Sequence, residues 1–107
     1  ELKLLTNKIV KEKNISFDTE TTSLDIKKAE IIGISFSYKE NQAFYVNLNH
    51  EFKKQYLIYI NKIFSANNKN FIAHNIKYDL AILLKNNIKI QLNEKRNISD
   101  TMIIIIL

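Results

Sequence analysis

Two short stretches carry residues whose types and spacing could do chemistry. The first is ISFDTETTSLD, residues 15–25, in which Asp18 and Glu20 follow a short apolar run. At i and i+2 of a strand both carboxylates leave the same face, with Cα atoms about 6.6 Å apart at ~3.3 Å rise per residue. Carboxylates that close repel each other, and one rises in pKa unless a cation lies between them. A divalent ion is the usual remedy, and hard oxygen donors suit Mg²⁺ or Mn²⁺. Taken alone, such a pair is more often a solvated strand end. The second stretch is HNIKYD, residues 74–79. Asn75, Tyr78 and Asp79 stand at i, i+3 and i+4, so on a helix they share one face. Alone, this stretch also fits a capped helix with a partly exposed aspartate and a core tyrosine. Together, two acids at a strand end and one on a helix make three ligands for a cation site, the kind of arrangement a two-metal centre needs.

The elements that must position these residues can be read from periodicity. Leu2, Leu5 and Ile9 recur at near-helical spacing with lysines opposite, which predicts an amphipathic helix over 2–12. NISFDTE reads as a strand, with Ile15 and Phe17 on one face and Ser16, Asp18 and Glu20 on the other. A polar loop, TTSLDIKKA, follows. EIIGISFSYKE and AFYVNL read as two further strands, joined by so few residues that they pair as an antiparallel hairpin. Phe52, Tyr56, Ile60 and Ile63 predict a helix over 51–68. NFIAHN reads as a short buried strand, and Asn75 as the N-cap of a helix running to Asn87. IKIQL reads as a short extended piece and NEKRN as a loop. ISDTMIIIIL reads as a strand ending near Asp100 and then the opening of a helix, although β-propensity favours a strand over 102–107. A hairpin first and alternation afterwards make an α/β domain with a mixed sheet.

FDTETTSLD at 17–25, followed by HNIKYDLAIL at 74–83, resembles the first two motifs of the DEDD exonuclease superfamily. More narrowly, the chain is similar to the 3′–5′ proofreading domain of bacterial-type family A DNA polymerases. The upstream helix, the hairpin after the first motif and the D-T-M segment at 100–102 fall in the family's order over the whole chain. The resemblance implies a ribonuclease H-like mixed sheet, with a three-stranded antiparallel start and then parallel strands, flanked by helices and truncated before its C-terminal helices. It implies two Mg²⁺ (or Mn²⁺) ions, with Asp18 bridging both, Glu20 ligating the first and holding the 3′ end, and Asp79 serving the second. Asn75 is implied to orient the terminal nucleotide, Leu24 to wedge against the last base, and Tyr78 to hold the helix beside the substrate. Thr19 falls in the same substrate-binding set, and Lys77 is a candidate phosphate contact. Asp100 matches a structural aspartate of the family. The implied partners are DNA with a single-stranded 3′ end and a downstream polymerase domain in the same chain. The family's third motif, Y-x-x-x-D or its His variant, is not in residues 1–107, so the site is expected to be incomplete in this segment. Two other readings stay open: an exoribonuclease of the same superfamily, and an inactive nucleic-acid-binding or structural module of a polymerase.

Composition bounds the rest. With 107 residues there is room for one domain and little more. The chain starts at Glu1 rather than Met and shows no signal-peptide pattern, so a piece of a longer protein is expected. No apolar run approaches the ~18 residues that a membrane span needs. With no cysteine, disulfides and thiolate zinc sites are excluded. One Gly and no Pro leave turns to Asn, Asp, Ser and Lys. The 14 Asn, 15 Lys and 19 Ile are residues of AT-rich codons, which weakens the formal charge of +5 as an argument for nucleic acid. The same bias suggests an organelle, plastid or mitochondrion, with a bacterial cytoplasm as the alternative. His50 and His74 are the two histidines, of which His74 reads as a structural polar residue at a strand end, and no hydroxyl has the His-Asp context of a nucleophile triad.

Overall fold

The computed structural model describes residues 2–66, 69–90 and, for the backbone alone, 97–100. The order is α1 (Leu2–Ile9), β1 (Asn14–Thr21), β2 (Ile31–Lys39), β3 (Gln42–Asn47), α2 (Lys53–Ser65), β4 (Asn70–Ala73), α3 (Ile76–Lys85) and β5 (Asn97–Asp100). The strands form one sheet in the order β3-β2-β1-β4-β5. β1 and β2 pair antiparallel, as do β2 and β3, whereas β4 runs parallel to both β1 and β5. This is the mixed α/β, ribonuclease H-like sheet that the sequence predicts. Asn97, expected to close the NEKRN loop, instead opens β5; the rest of that loop, the end of IKIQL and the helix expected over 101–107 lie outside the described residues.

Strand alternation decides which side of the sheet is dry. Ile15, Phe17 and Thr19 of β1 are buried, while Asp18 and Glu20 are exposed. Ile34 and Phe36 of β2 stand opposite Thr19 and Phe17 and are also buried. All three helices contribute to the core behind this face, through Ile9, through Ile60, Ile63 and Phe64, and through Ile82 and Leu83. At its centre Phe64 meets the Phe17 ring edge-on at 4.9 Å and lies 5.1 Å from Phe71. Offset and edge-on aromatic pairs of this kind add to burial in fixing side-chain orientation. Phe17 immediately precedes Asp18, so the aromatic cluster anchors the strand that displays the acids.

Helix ends differ from their sequence-derived limits for identifiable reasons. α1 stops at Ile9 instead of 12 because the nearly buried Lys69 ammonium donates to the carbonyls of Val10 and Glu12. Burial pulls the Lys69 ammonium below the usual lysine range, with Glu12 opposing. α2 starts at Lys53, after a turn in which the Phe52 N–H donates to His50 Nδ1 and His50 Nε2 donates to the Asn47 carbonyl. α2 ends at Ser65, where Ala66 becomes extended. Ile88–Ile90, the described part of the extended piece expected there, pair with no strand of the sheet. Asn supplies the left-handed residues that Gly would otherwise provide: Asn41 at φ 62° turns β2 into β3, and Asn87 at φ 63° closes α3. There the Ile88 N–H reaches the Leu83 carbonyl and the Asn87 N–H the Leu84 carbonyl, a Schellman closure sealed by buried Ile88 and Leu83.

Candidate active site

β4 leaves the sheet early. Its pairing with β1 ends at Phe17 and Ala73, while β1 continues beside β2 to Thr21. The last residues of β1 therefore have β2 on one flank and the start of α3 on the other. Crevices beyond the carboxyl ends of strands are the usual ligand sites of open α/β sheets. A register shift between Glu20 and Thr21 marks the strand end, and bulges of this kind re-aim side chains near active sites.

Asp18 and Glu20 both present their carboxylates on the outer, exposed face, as alternation requires. A shallow groove of about 200 Å³ runs beside Asp18, lined by Ser16, Ser35, Ser37, Ile72 and His74. Two larger grooves, of about 670 and 660 Å³, lie against β3 and α1 and include neither acid. Gly33, the one glycine of the chain, pairs with Glu20, and a Cβ there would run into the Tyr45 ring. Sequence reading passed over both residues. The lone glycine inside a strand was the signal that something crosses it closely.

Asp79 arrives from the other side. It is 2% exposed, and its Oδ1 accepts a 2.6 Å hydrogen bond from the hydroxyl of Thr19, whose side chain faces inward between the two outward acids. Asp79 Oδ2 is buried and, among the described residues, has no hydrogen-bond partner. Burial pushes the Asp79 carboxyl above its ordinary value. The Thr19 bond opposes that rise, and the charge of Asp18 adds to it. Thus the two motifs meet, close enough for the charge of Asp18 to act on Asp79. Among the described residues no three His, Asp or Glu side chains close on one metal position by themselves.

The remaining predicted residues fall around this pair. Thr19, expected among the substrate contacts, is buried and spends its hydroxyl on Asp79, so it positions the acid. The Tyr78 hydroxyl donates to the Ser23 carbonyl at 2.6 Å and lies 2.5 Å from Thr21 Oγ1, tying α3 to the loop after β1. Asn75 is the N-cap of α3 by position, and its carbonyl accepts the Asp79 N–H at 2.9 Å. Its side chain makes no capping hydrogen bond, contrary to expectation, because the residue sits at φ −131°, ψ 77° rather than in the usual cap geometry. Leu24 is 90% exposed, and Lys77 is also exposed. Asp100 ends β5 in register with Ala73.

A family model described as 3′–5′ exonuclease matches residues 1–105. DNA polymerase I of Borreliella burgdorferi is 44% identical over 92 residues, covering 81% of this chain and 10% of that protein. DNA polymerase I of Pseudomonas aeruginosa is 53% identical over 38 residues, covering 36% of this chain and 4% of that protein. The chain thus spans at most a tenth of the length of these curated relatives. Among solved structures, the Nibbler EXO domain of Aedes aegypti superposes with a TM-score of 0.69 at 10% identity, covering 95% of this chain and 49% of that one. At that identity the likeness is one of fold.

Proposed function

Because the chain belongs to the family of 3′–5′ exonuclease domains, we propose that it removes nucleotides from the 3′ end of DNA as the proofreading part of a DNA polymerase. The observation that carries the assignment to this site is the junction of the two motifs at Thr19 and Asp79. The curated relatives are DNA polymerases, which favours DNA over the exoribonuclease alternative. A downstream polymerase domain in the same protein, and a third-motif carboxylate and tyrosine supplied beyond Leu107, belong to the same proposal. So does the organellar compartment, which rests on codon composition alone.

Exonuclease domains of this family generally use divalent metal ions. The residues fit such ions in chemistry: three carboxylates offer hard oxygens, and buried Asp79 Oδ2 has no other partner among the described residues. We assign Asp18, Glu20 and Asp79 as the protein ligands of two Mg²⁺ or Mn²⁺ ions. Bound there, the ions would supply an activated water and charge stabilisation for the leaving 3′ oxygen. The chain's own residues do the rest. Thr19 fixes Asp79, and the Phe17 cluster fixes the strand under Asp18 and Glu20. Leu24 offers an apolar surface for the terminal base, Asn75 polar contact to the last nucleotide, and Lys77 charge for a phosphate. Contacts of this kind read stacking and backbone, so sequence preference should be slight.

The test is an exonuclease assay on 5′-labelled single-stranded and 3′-recessed DNA with Mn²⁺, using the full-length protein and its Asp18→Ala variant. Stepwise shortening in the wild type should fall by about a thousandfold in the variant, the scale of several kcal/mol of metal-borne stabilisation. Mn²⁺ should also raise the thermal midpoint of the wild type more than that of the variant. A folded wild type that shortens neither substrate would overturn the nuclease reading in favour of a binding module.

A further inference from the structure

The loop joining β1 to β2 displays Leu24 to solvent, and α3 grips that loop at two places. The first is Tyr78, whose hydroxyl holds the Ser23 carbonyl. The second is Lys85, two helical turns further along the same helix. Its ammonium donates to the carbonyls of Ile26, Lys27 and Ala29 at 3.0, 3.3 and 2.6 Å. An ammonium has three protons, so these acceptors fill its donor capacity. The loop is built to present those carbonyls together. Its N–H groups turn inward on Asp25: Lys27 N–H donates to the Asp25 carboxylate, and Lys28 and Ala29 N–H donate to the Asp25 carbonyl. Lys85 also stands in the last turn of α3, where a cation is favoured by the helix dipole.

We infer that Lys85 is a positioning residue for 3′-end recognition: it locks the 25–29 turn onto α3 and so fixes where Leu24 meets the terminal base. The inference rests on the exonuclease reading above for the role of Leu24, and on the hydrogen bonds alone for the lock. Lys85 touches no substrate. Its effect is on order. Without it, three carbonyls return to water, and the far half of the loop keeps buried Ala29, the Glu30–Lys53 ion pair at 3.9 Å and the Thr22–Glu30 hydrogen bonds at its neck as anchors, none of which holds residues 26–28 to α3. A mobile loop must then be ordered each time a strand end binds, and that cost appears in substrate affinity.

The experiment compares the full-length protein with its Lys85→Met and Lys85→Arg variants. Met keeps the stem length and the packing of the side chain, while Arg keeps a multi-donor cation. Amide hydrogen exchange at Lys28 and Ala29 should quicken about tenfold in Lys85→Met and return toward wild type in Lys85→Arg, while β1 amides stay unchanged. In the nuclease assay KM for single-stranded DNA should rise about fivefold in Lys85→Met with kcat nearly constant. Unchanged exchange in Lys85→Met overturns the lock, whether or not the protein is a nuclease. Faster exchange with KM unaltered overturns the positioning role. A wild type without nuclease activity would instead refute the reading of Leu24, and the exchange rates would still decide the lock.

Discussion

The hydroxyl of Thr19 donates a 2.6 Å hydrogen bond to the carboxylate of Asp79, joining two residues sixty positions apart. Thr19 is the inward residue between the outward acids Asp18 and Glu20, so this bond fastens the helix motif to the strand motif from beneath. The bond engages one carboxylate oxygen and leaves the other buried without a partner among the described residues. An acid held in this way is oriented through one of its oxygens.

Removing the hydroxyl tests that fastening. Thr19→Val keeps the β-branched shape and strips the hydroxyl donor from a buried carboxylate. Stability should fall by about 2 kcal/mol, the cost of stranding a buried charged acceptor. Urea unfolding should show an earlier midpoint with an unchanged slope. Exonuclease activity at a temperature where the variant is folded should also fall. A midpoint equal to wild type would mean that the bond contributes nothing.

The pH dependence follows from the direction of the Asp79 shift. Its carboxyl titrates above the ordinary value of 3.8 in the folded protein, chiefly because of burial. Between the unfolded and folded values the native state therefore binds more protons than the unfolded chain. Stability falls as pH rises through that window and levels off above it. Asp79→Asn cannot ionise and should lack this decline. At neutral pH it should be about 1 kcal/mol more stable than wild type without metal, since a buried, half-partnered charge has been removed. Urea midpoints for both proteins from pH 4 to 8, in chelator, measure the difference. Parallel profiles would contradict it.

Tyr78→Phe separates packing from hydrogen bonding at the second junction. The ring stays, and the bonds to Thr21 and Ser23 are lost. The expected cost is about 1 kcal/mol. KM for a single-stranded 3′ end should rise more than kcat falls, because the loop that carries Leu24 is loosened and the carboxylates are not. An equal loss in both constants would place Tyr78 in the chemistry itself.

Asn87→Gly tests the substitution of Asn for Gly in a glycine-poor chain. Asn87 adopts φ 63° at the end of α3, a conformation that costs a side-chain-bearing residue energy and glycine almost none. The variant should gain about 0.5 kcal/mol, with the Schellman bonds intact. A loss of stability would show that the Asn87 side chain makes a compensating contact.

Much of the molecule was legible from local patterns. Residues 14–21 announced a strand with the acids on one face, because alternation is a property of the extended chain itself. Asn75, Tyr78 and Asp79 announced a shared helix face for the same kind of reason, with a period of 3.6 instead of 2. The hairpin of β2 and β3 and the parallel strands after it were within reach of pattern and turn chemistry.

Where those faces meet was decided by tertiary structure. β4 lies beside β1 and leaves it at Phe17, which sets α3 against the end of β1. That placement puts Asp79 under Thr19 and Tyr78 against Ser23. The same logic puts Lys85 over the carbonyls of 26–29 and Lys69 at the end of α1. Each contact spans more than fifty residues of sequence. No local period encodes partners so distant. They come from strand order and from burial of the apolar faces, and the burial that brings Asp79 to β1 is also what raises its pKa.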